Sequence, residues 1–294
     1  TQVLTVNKKD ITVSLNATPA ITKVYNANTS ATLTAANYSL SGVEAADVSA
    51  VTVMGTAVYA NQNAASDITV TVNNFVLEGT KKDNYNLTTT SATTTGVITR
   101  KDITLTLNAT PLISKVYDGN TSATLVAANY SVNGVEASDA AAVDVSGTAV
   151  YNNSVAGTGK TVTVTDFVLA GAQKDNYRLT TVSATTNGII AAKVLTVTAD
   201  DKEKFEGEDN PTLSVSYDGF ITGEHASNAL ATQPLISTTA ITNSPHGTYP
   251  IMVSGASAQN YQITYKDGVL TVKPGAPTSV SLAAVTLYEN QPAG

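Results

Sequence analysis

Lys115-Val116-Tyr117-Asp118-Gly119-Asn120-Thr121-Ser122-Ala123-Thr124-Leu125 has a near copy 92 residues upstream, Lys23-Val24-Tyr25-Asn26-Ala27-Asn28-Thr29-Ser30-Ala31-Thr32-Leu33. Each reads as a strand, a tight turn and a second strand, with Asp118-Gly119 in the second copy supplying the positive φ that a two-residue hairpin turn needs. At that offset Asp10–Thr99 and Asp102–Ala191 align without a gap and share 59 of 90 residues. Solenoid repeats run to roughly 20–50 residues, so this period is that of a self-contained domain. The chain is read as tandem copies of one module.

Inside a copy the hydrophobic period is two. Ile103-Thr104-Leu105-Thr106-Leu107 and Thr161-Val162-Thr163-Val164-Thr165 alternate apolar with polar, which gives each strand one core face and one threonine-covered face. Turn signals separate these runs at Asp118-Gly119, Asn133-Gly134, Ala156-Gly157-Thr158-Gly159 and Ala170-Gly171-Ala172. Short alternating strands at such spacing predict an all-β protein of tandem Ig-like antiparallel β-sandwich modules in an elongated array. Val135–Ala142 is alanine-rich and reads as one or two helical turns. A helix there packed on a sheet would make each module a small grasp-like α+β unit instead.

The expected organisation is five segments: 1–7 as the closing strand of a preceding module, 8–100 and 101–192 as the two copies, 193–273 as a third module, and 274–294 as a linker and the start of a further domain. Val3-Leu4-Thr5-Val6 is read as that closing strand. The third module shares Asn260-Tyr261 and the closing Gly268-Val269-Leu270-Thr271-Val272 with the pattern of the copies. Lys273-Pro274-Gly275-Ala276-Pro277 is a linker by composition.

Of the 294 residues 42% are apolar and only 13% charged, so Thr, Ser and Asn must cover the surface. A net charge of −7 offers no basic stripe for nucleic acid and disfavours docking on an anionic membrane. No apolar run approaches the roughly 20 residues that span a bilayer. The absence of cysteine closes the disulfide-stapled route.

Several of these residues carry a family resemblance. Lys115-Val116-Tyr117-Asp118-Gly119-Asn120-Thr121, the Gly147–Tyr151 strand and Asp175-Asn176-Tyr177-Arg178-Leu179-Thr180 make the two copies similar to the YDG repeats of large filamentous-haemagglutinin-like bacterial surface proteins. The third module resembles the related MBG domain through Lys204–Pro211, Gly219-Phe220-Ile221-Thr222-Gly223-Glu224 and Asn260-Tyr261. Glu289–Gly294 is similar to the start of a cadherin-like domain. The resemblance implies a secreted, cell-surface location and a structural stalk segment of an adhesin, with neighbouring modules of the same chain as partners. The alternative it leaves open is a glycan- or protein-binding role through loops of the third module.

Candidate chemistry is weighed against this. His225 and His246, both in the third module, lack the strand-to-helix turn of a serine hydrolase. Asp83 and Asp175 recur at equivalent places, which suits the turns ahead of Tyr85 and Tyr177 better than a duplicated catalytic pair. Tyr25, Tyr38, Tyr59 and Tyr85 recur as Tyr117, Tyr130, Tyr151 and Tyr177, pointing to packing or to corner tyrosines bonded to backbone. Asp200, Asp201, Glu203, Glu206, Glu208 and Asp209 form an acidic run that could hold calcium near Asp200 or Asp201, since hard cations take clustered oxygens, and the cadherin-like resemblance implies calcium at Glu289; no other cofactor is suggested. No catalytic residue is assigned, and the chain is read as non-enzymatic.

Nearly slack-free junctions at Thr99-Arg100-Lys101 and Ala191-Ala192-Lys193 predict a semi-rigid rod. Ala27 stands where the second copy has Gly119. If the turn is left-handed there, Ala27 costs roughly 1 kcal/mol. The first copy alone is therefore expected to unfold at lower denaturant than the second; equal or greater stability would contradict this.

Overall fold

The structure, a computed structural model, describes residues 4–275. Each module contributes seven strands. The first has β1 (Lys9–Leu15), β2 (Thr22–Val24), β3 (Tyr38–Ser41), β4 (Thr52–Tyr59), β5 (Ala65–Glu78), β6 (Tyr85–Leu87) and β7 (Ser91–Thr99). The second has β8 (Lys101–Leu107), β9 (Ser114–Val116), β10 (Tyr130–Asn133), β11 (Asp144–Tyr151), β12 (Gly157–Ala170), β13 (Tyr177–Leu179) and β14 (Ala184–Ala191). The third has β15 (Lys193–Ala199), β16 (Lys202–Phe205), β17 (Val215–Asp218), β18 (Leu235–Thr238), β19 (Gly247–Ser254), β20 (Tyr261–Lys266) and β21 (Gly268–Lys273).

All three modules share one topology. A three-stranded sheet places the module's first strand between its third and sixth, as β3-β1-β6, β10-β8-β13 and β17-β15-β20. A four-stranded sheet has the order second-seventh-fifth-fourth, as β2-β7-β5-β4, β9-β14-β12-β11 and β16-β21-β19-β18. Alternation builds the core: Ile11 and Val13 of β1 are buried while Thr12 and Ser14 are exposed. In the first module Ile11, Tyr85 and Leu40 from one sheet meet Leu77 from the other, which is the packing of a sandwich. The all-β reading holds.

Three local expectations are corrected. The Lys-Val-Tyr segment does not form a hairpin with the residues after its turn. Strand β2 instead pairs in parallel with β7 (Thr22 with Val97, Val24 with Thr99), and β9 likewise with β14. Ser30 and Ser122 beyond the turns bridge to Val58 and Val150. The sheets are therefore mixed, each with one parallel pair; β1 and β6 form the other kind. Periodicity shows which residues face the core but not which strand lies alongside. The Val135–Ala142 helix reduces to a single 3-10 turn, Ala137–Asp139, so the grasp-like alternative is not realised.

The described chain forms two compact units. One contains residues up to Ile113 with Ser122–Asn152 and Thr161–Gly188; the other contains Ser114–Thr121, Asn153–Lys160 and the chain from Ile189 onward. The first unit thus holds the first module and most of the second. The other joins the third module to three segments of the second, Ser114–Thr121, Asn153–Lys160 and the stretch from Ile189 to Ala192, so compactness does not divide at the sequence junctions. The reason lies in side chains at the module ends.

Of the two roles the sequence leaves open for the repeated tyrosines, Tyr59 and Tyr151 take that of corner tyrosines. The Tyr59 hydroxyl donates to the carbonyls of Ile21 (3.2 Å) and Val97 (3.3 Å), and that of Tyr151 to Ile113 (3.3 Å). The ring of Tyr59 lies against Gly96, where an added Cβ would sit 2.9 Å from the ring and 2.8 Å from the Ile21 carbonyl oxygen. Neither can retreat, because one is backbone and the other is tied to it. Gly96→Ala should therefore destabilise by about 1–3 kcal/mol. Gly157→Ala, with nothing within 4 Å of its Cβ position, should be close to neutral. Urea midpoints of the two variants would show it; equal midpoints would contradict the close-approach account.

Candidate functional site

The residues that do most beyond packing stand where one module meets the next. In the first unit the parallel β2–β7 pair ends on Tyr25, whose amide donates to the Thr99 carbonyl (2.9 Å). The strand carries the ring past its own sheet to the second module. There its hydroxyl donates to Asp139 Oδ2 (2.7 Å), and Tyr177 donates to the same oxygen at 2.6 Å. Ser138 Oγ donates to Oδ1 (3.1 Å), and the Glu136 amide donates to the Tyr177 hydroxyl (3.1 Å). The two rings meet edge-on, with centroids 5.3 Å apart at 79°. Beside them Asn176 accepts the Ala64 amide (2.8 Å). Tyr25, Asp139 and Tyr177 are all at most 4% exposed.

The second unit repeats this arrangement with other residues. Tyr117, following β9, donates to Glu224 Oε1 (2.6 Å), and Tyr261 donates to the other oxygen of Glu224. The Ile221 amide donates to the Tyr261 hydroxyl (3.0 Å), the two rings lie 5.6 Å apart at 79°, and Asn260 accepts the Ala156 amide (3.0 Å). A carboxylate shared by two tyrosines, flanked by an asparagine that captures a loop amide, is therefore built twice.

The local sequence sets these positions. Lys23 and Lys115 fold over the turn to its carbonyls at Asn28 (2.5 Å) and Asn120 (2.9 Å), fixing the loop that follows each tyrosine. The turn is left-handed in both copies, with φ 57° at Ala27 and 80° at Gly119. At Gly119 a Cβ would come within 2.8 Å of Ile221 Cδ1, the free end of a side chain that can give way, so the left-handed φ is what calls for glycine there. Asp83 and Asp175 sit in 3-10 turns, Lys82–Asn84 and Lys174–Asn176, as the sequence indicated; these turns deliver Tyr85 and Tyr177 to their carboxylates.

Electrostatics follow from burial. It pushes the Tyr25 hydroxyl up to about 12, reinforced by the hydrogen bond to Asp139; Tyr261 rises to about 12 in the same way beside Glu224, and Tyr177 is also raised. Burial acts to raise the Asp139 carboxyl as well, but the hydrogen bonds from Tyr177, Tyr25 and Ser138 outweigh it and hold the group below its ordinary value.

The other sequence candidates stay apart. His225 is an exposed residue ahead of the single helical turn Ala226–Ala229, and His246 is exposed, with Nδ1 3.0 Å from Glu206 Oε1. The acidic run is spread over separate structural bonds: Asp200 accepts from Ser214 (2.6 Å), Asp201 from the Val269 amide (2.7 Å), Glu208 from the Phe205 amide (2.9 Å) and Asp209 from Thr242 (2.9 Å), while Glu203 pairs with Lys273. Among the described residues no three His, Cys, Asp or Glu side chains converge as a metal ligand set. Glu289 lies outside the described residues. Sequence reading missed Asp139 and Asn176 as members of a site; the signal available was Asp47 and Asn84 recurring unchanged at the same offset.

A family model for the YDG domain matches residues 7–94 and again 99–186. The chain belongs to the YDG-domain family. A model of the MBG domain (YGX type) matches residues 195–271. YDG and MBG domains are adhesin-type repeat modules, and neither is an enzyme family. No curated protein matches the chain. Among solved structures it is similar to a crystal structure of Drosophila N-cadherin EC1-3, at 11% identity over 71% of this chain and 77% of that one, with a TM-score of 0.20. No helix among the described residues is long and apolar enough to cross a membrane.

Two predictions follow from the YDG joint. Tyr25→Phe should cost about 1.5–3 kcal/mol because the lost bond goes to a carboxylate, whereas Tyr59→Phe, losing long bonds to neutral carbonyls, should cost about 0.5–1.5 kcal/mol. Chemical denaturation would rank them, and the reverse order would exclude the shared carboxylate as the stronger tie. The tyrosine pKa shifts predict alkaline sensitivity. A raised folded pKa means that the unfolded chain, with tyrosines near 10, gives up its protons first. The joint's contribution is thus complete below about pH 10 and lost as pH rises through 12. In Tyr25→Phe that decline should be smaller.

Proposed function

We propose that the chain is a spacer segment of a bacterial cell-surface adhesin, secreted and holding a binding region away from the cell. The observation that carries this reading is the joint. The same tyrosine–carboxylate–tyrosine contact closes two successive junctions, while one residue, Arg100 or Ala192, separates the last strand of a module from the first strand of the next. Short connections together with buried, hydrogen-bonded ends restrict each junction. Adhesin-type modules whose specific side chains are spent on one another suit spacing. The partners of this segment are then its neighbouring modules.

The test is additive. Inserting a further copy of residues 9–100 in tandem should lengthen the maximum dimension from small-angle scattering by roughly 30 Å, the length of a nine-residue strand. An inserted copy that adds mass without adding length would sink the spacer reading.

A further inference from the structure

The first module carries a complete receiving half of the joint. Tyr85 donates to Asp47 Oδ2 (2.8 Å), the Glu44 amide donates to the Tyr85 hydroxyl (3.2 Å), and the Asp47 amide donates to the Glu44 carbonyl (2.9 Å). These are the bonds that Tyr177, Asp139 and Glu136 make in the second module. What differs is the cover. Among the described residues no tyrosine of another module reaches Asp47. Asp139 is 4% exposed and Asn176 also 4%, whereas Asp47 is half-buried and Asn84 exposed. The Lys101–Glu136 ion pair is 30% and 28% exposed, but its counterpart Lys9–Glu44 is 49% and 63% exposed. Apolar exposure points the same way. Ile98 and Ile190, three residues ahead of Lys101 and Lys193, are each 1% exposed; Val6, three residues ahead of Lys9, is 87% exposed.

The opposite end of the chain presents something else. Glu206 takes the place of Tyr25 and Tyr117: its amide donates to the Lys273 carbonyl (3.0 Å) at the end of the parallel β16–β21 pair, and Lys204 two residues earlier reaches the turn carbonyl of Glu208 (2.9 Å). The Glu206 carboxylate accepts from the His246 amide (2.5 Å).

We propose that the face formed by Asp47, Asn84 and Tyr85 is a docking site for a module presenting a tyrosine at the place held by Tyr25 and Tyr117. That tyrosine donates its hydroxyl to Asp47, and a loop amide at the place of Ala64 donates to Asn84. The third module of a second copy of this chain is not the occupant, because it would set the Glu206 carboxylate against Asp47. The joint is therefore directional: a YDG-type end docks on a carboxylate-bearing face, and the third module presents Glu206 where the copies present the docking tyrosine. The inference rests on the spacer reading only in placing the occupant immediately ahead in the same chain.

The experiment extends the full chain by an additional copy of residues 9–100 joined directly ahead of Lys9. Amide hydrogen exchange is followed at the added copy's counterpart of Ala64. Protection there should exceed that in an extended chain whose added copy carries Glu in place of its Tyr25 counterpart by about tenfold or more, and Asp47→Ala in the original first module should lower it similarly. A Phe in place of that tyrosine keeps the ring and guards against a folding failure; it should lower protection partially. Protection unchanged by the Glu and Asp47→Ala variants would overturn the proposal. If the added copy still lengthens the particle in scattering, the spacer reading survives that result and only the docking chemistry falls.

Discussion

A buried carboxylate is an expense that a small β-module avoids unless every lone pair is used. Asp139 is almost wholly enclosed, yet it accepts from two tyrosines and a serine. Only one of the tyrosines belongs to its own module. The second module's end is therefore fully satisfied when the first module supplies Tyr25, and this requirement joins the two into one compact unit. The hydrophobic contact runs with it: Tyr25 and Tyr177 belong to a core cluster that extends from Val70 and Ile98 to Ile103 and Val143.

The parallel pairing of each module's second and seventh strands serves that contact. A hairpin would turn Tyr25 back toward its own sheet. Pairing beside the last strand instead leaves the tyrosine at the rim from which the next module starts, with Lys23 tying down the loop beyond it. The 3-10 turns Lys82–Asn84 and Lys174–Asn176 have the complementary role, since each ends on the tyrosine that holds the receiving carboxylate. The two ends of a module are thus chemically different, which gives the array a polarity.

The third module shows how little of this depends on residue identity. It is shorter than the copies and only loosely alike in sequence, yet it has the same seven strands in the same two sheets. Its carboxylate is Glu224, one methylene longer than Asp139, and it spreads the two tyrosine bonds over both oxygens where Asp139 uses one. Phe220 stacks edge-on against Tyr261 at 5.3 Å, adding an aromatic contact within the module. Its exit residue is Glu206, so the array's chemistry changes at this module.

Much of the fold was legible in the residues. The repeat at 92, the alternation in Ile103–Leu107 and the turns all follow from local pattern, because a strand's period of two and a glycine's freedom are properties of short segments. The left-handed turn at Ala27 was legible for the same reason. The partner of each strand was not. Lys23-Val24-Tyr25 looks like half of a hairpin, and the competitor that displaces its neighbour lies more than 70 residues away in β7. The site was least legible of all. Asp139 shows in sequence as one more polar residue in an alanine-rich stretch, and Tyr25 as one more repeated aromatic. By itself the sequence determined the modules and their strands; only the tertiary structure decided that a tyrosine of one module would complete the buried carboxylate of the next, because satisfying that charge takes donors that meet only when two modules are folded and in contact.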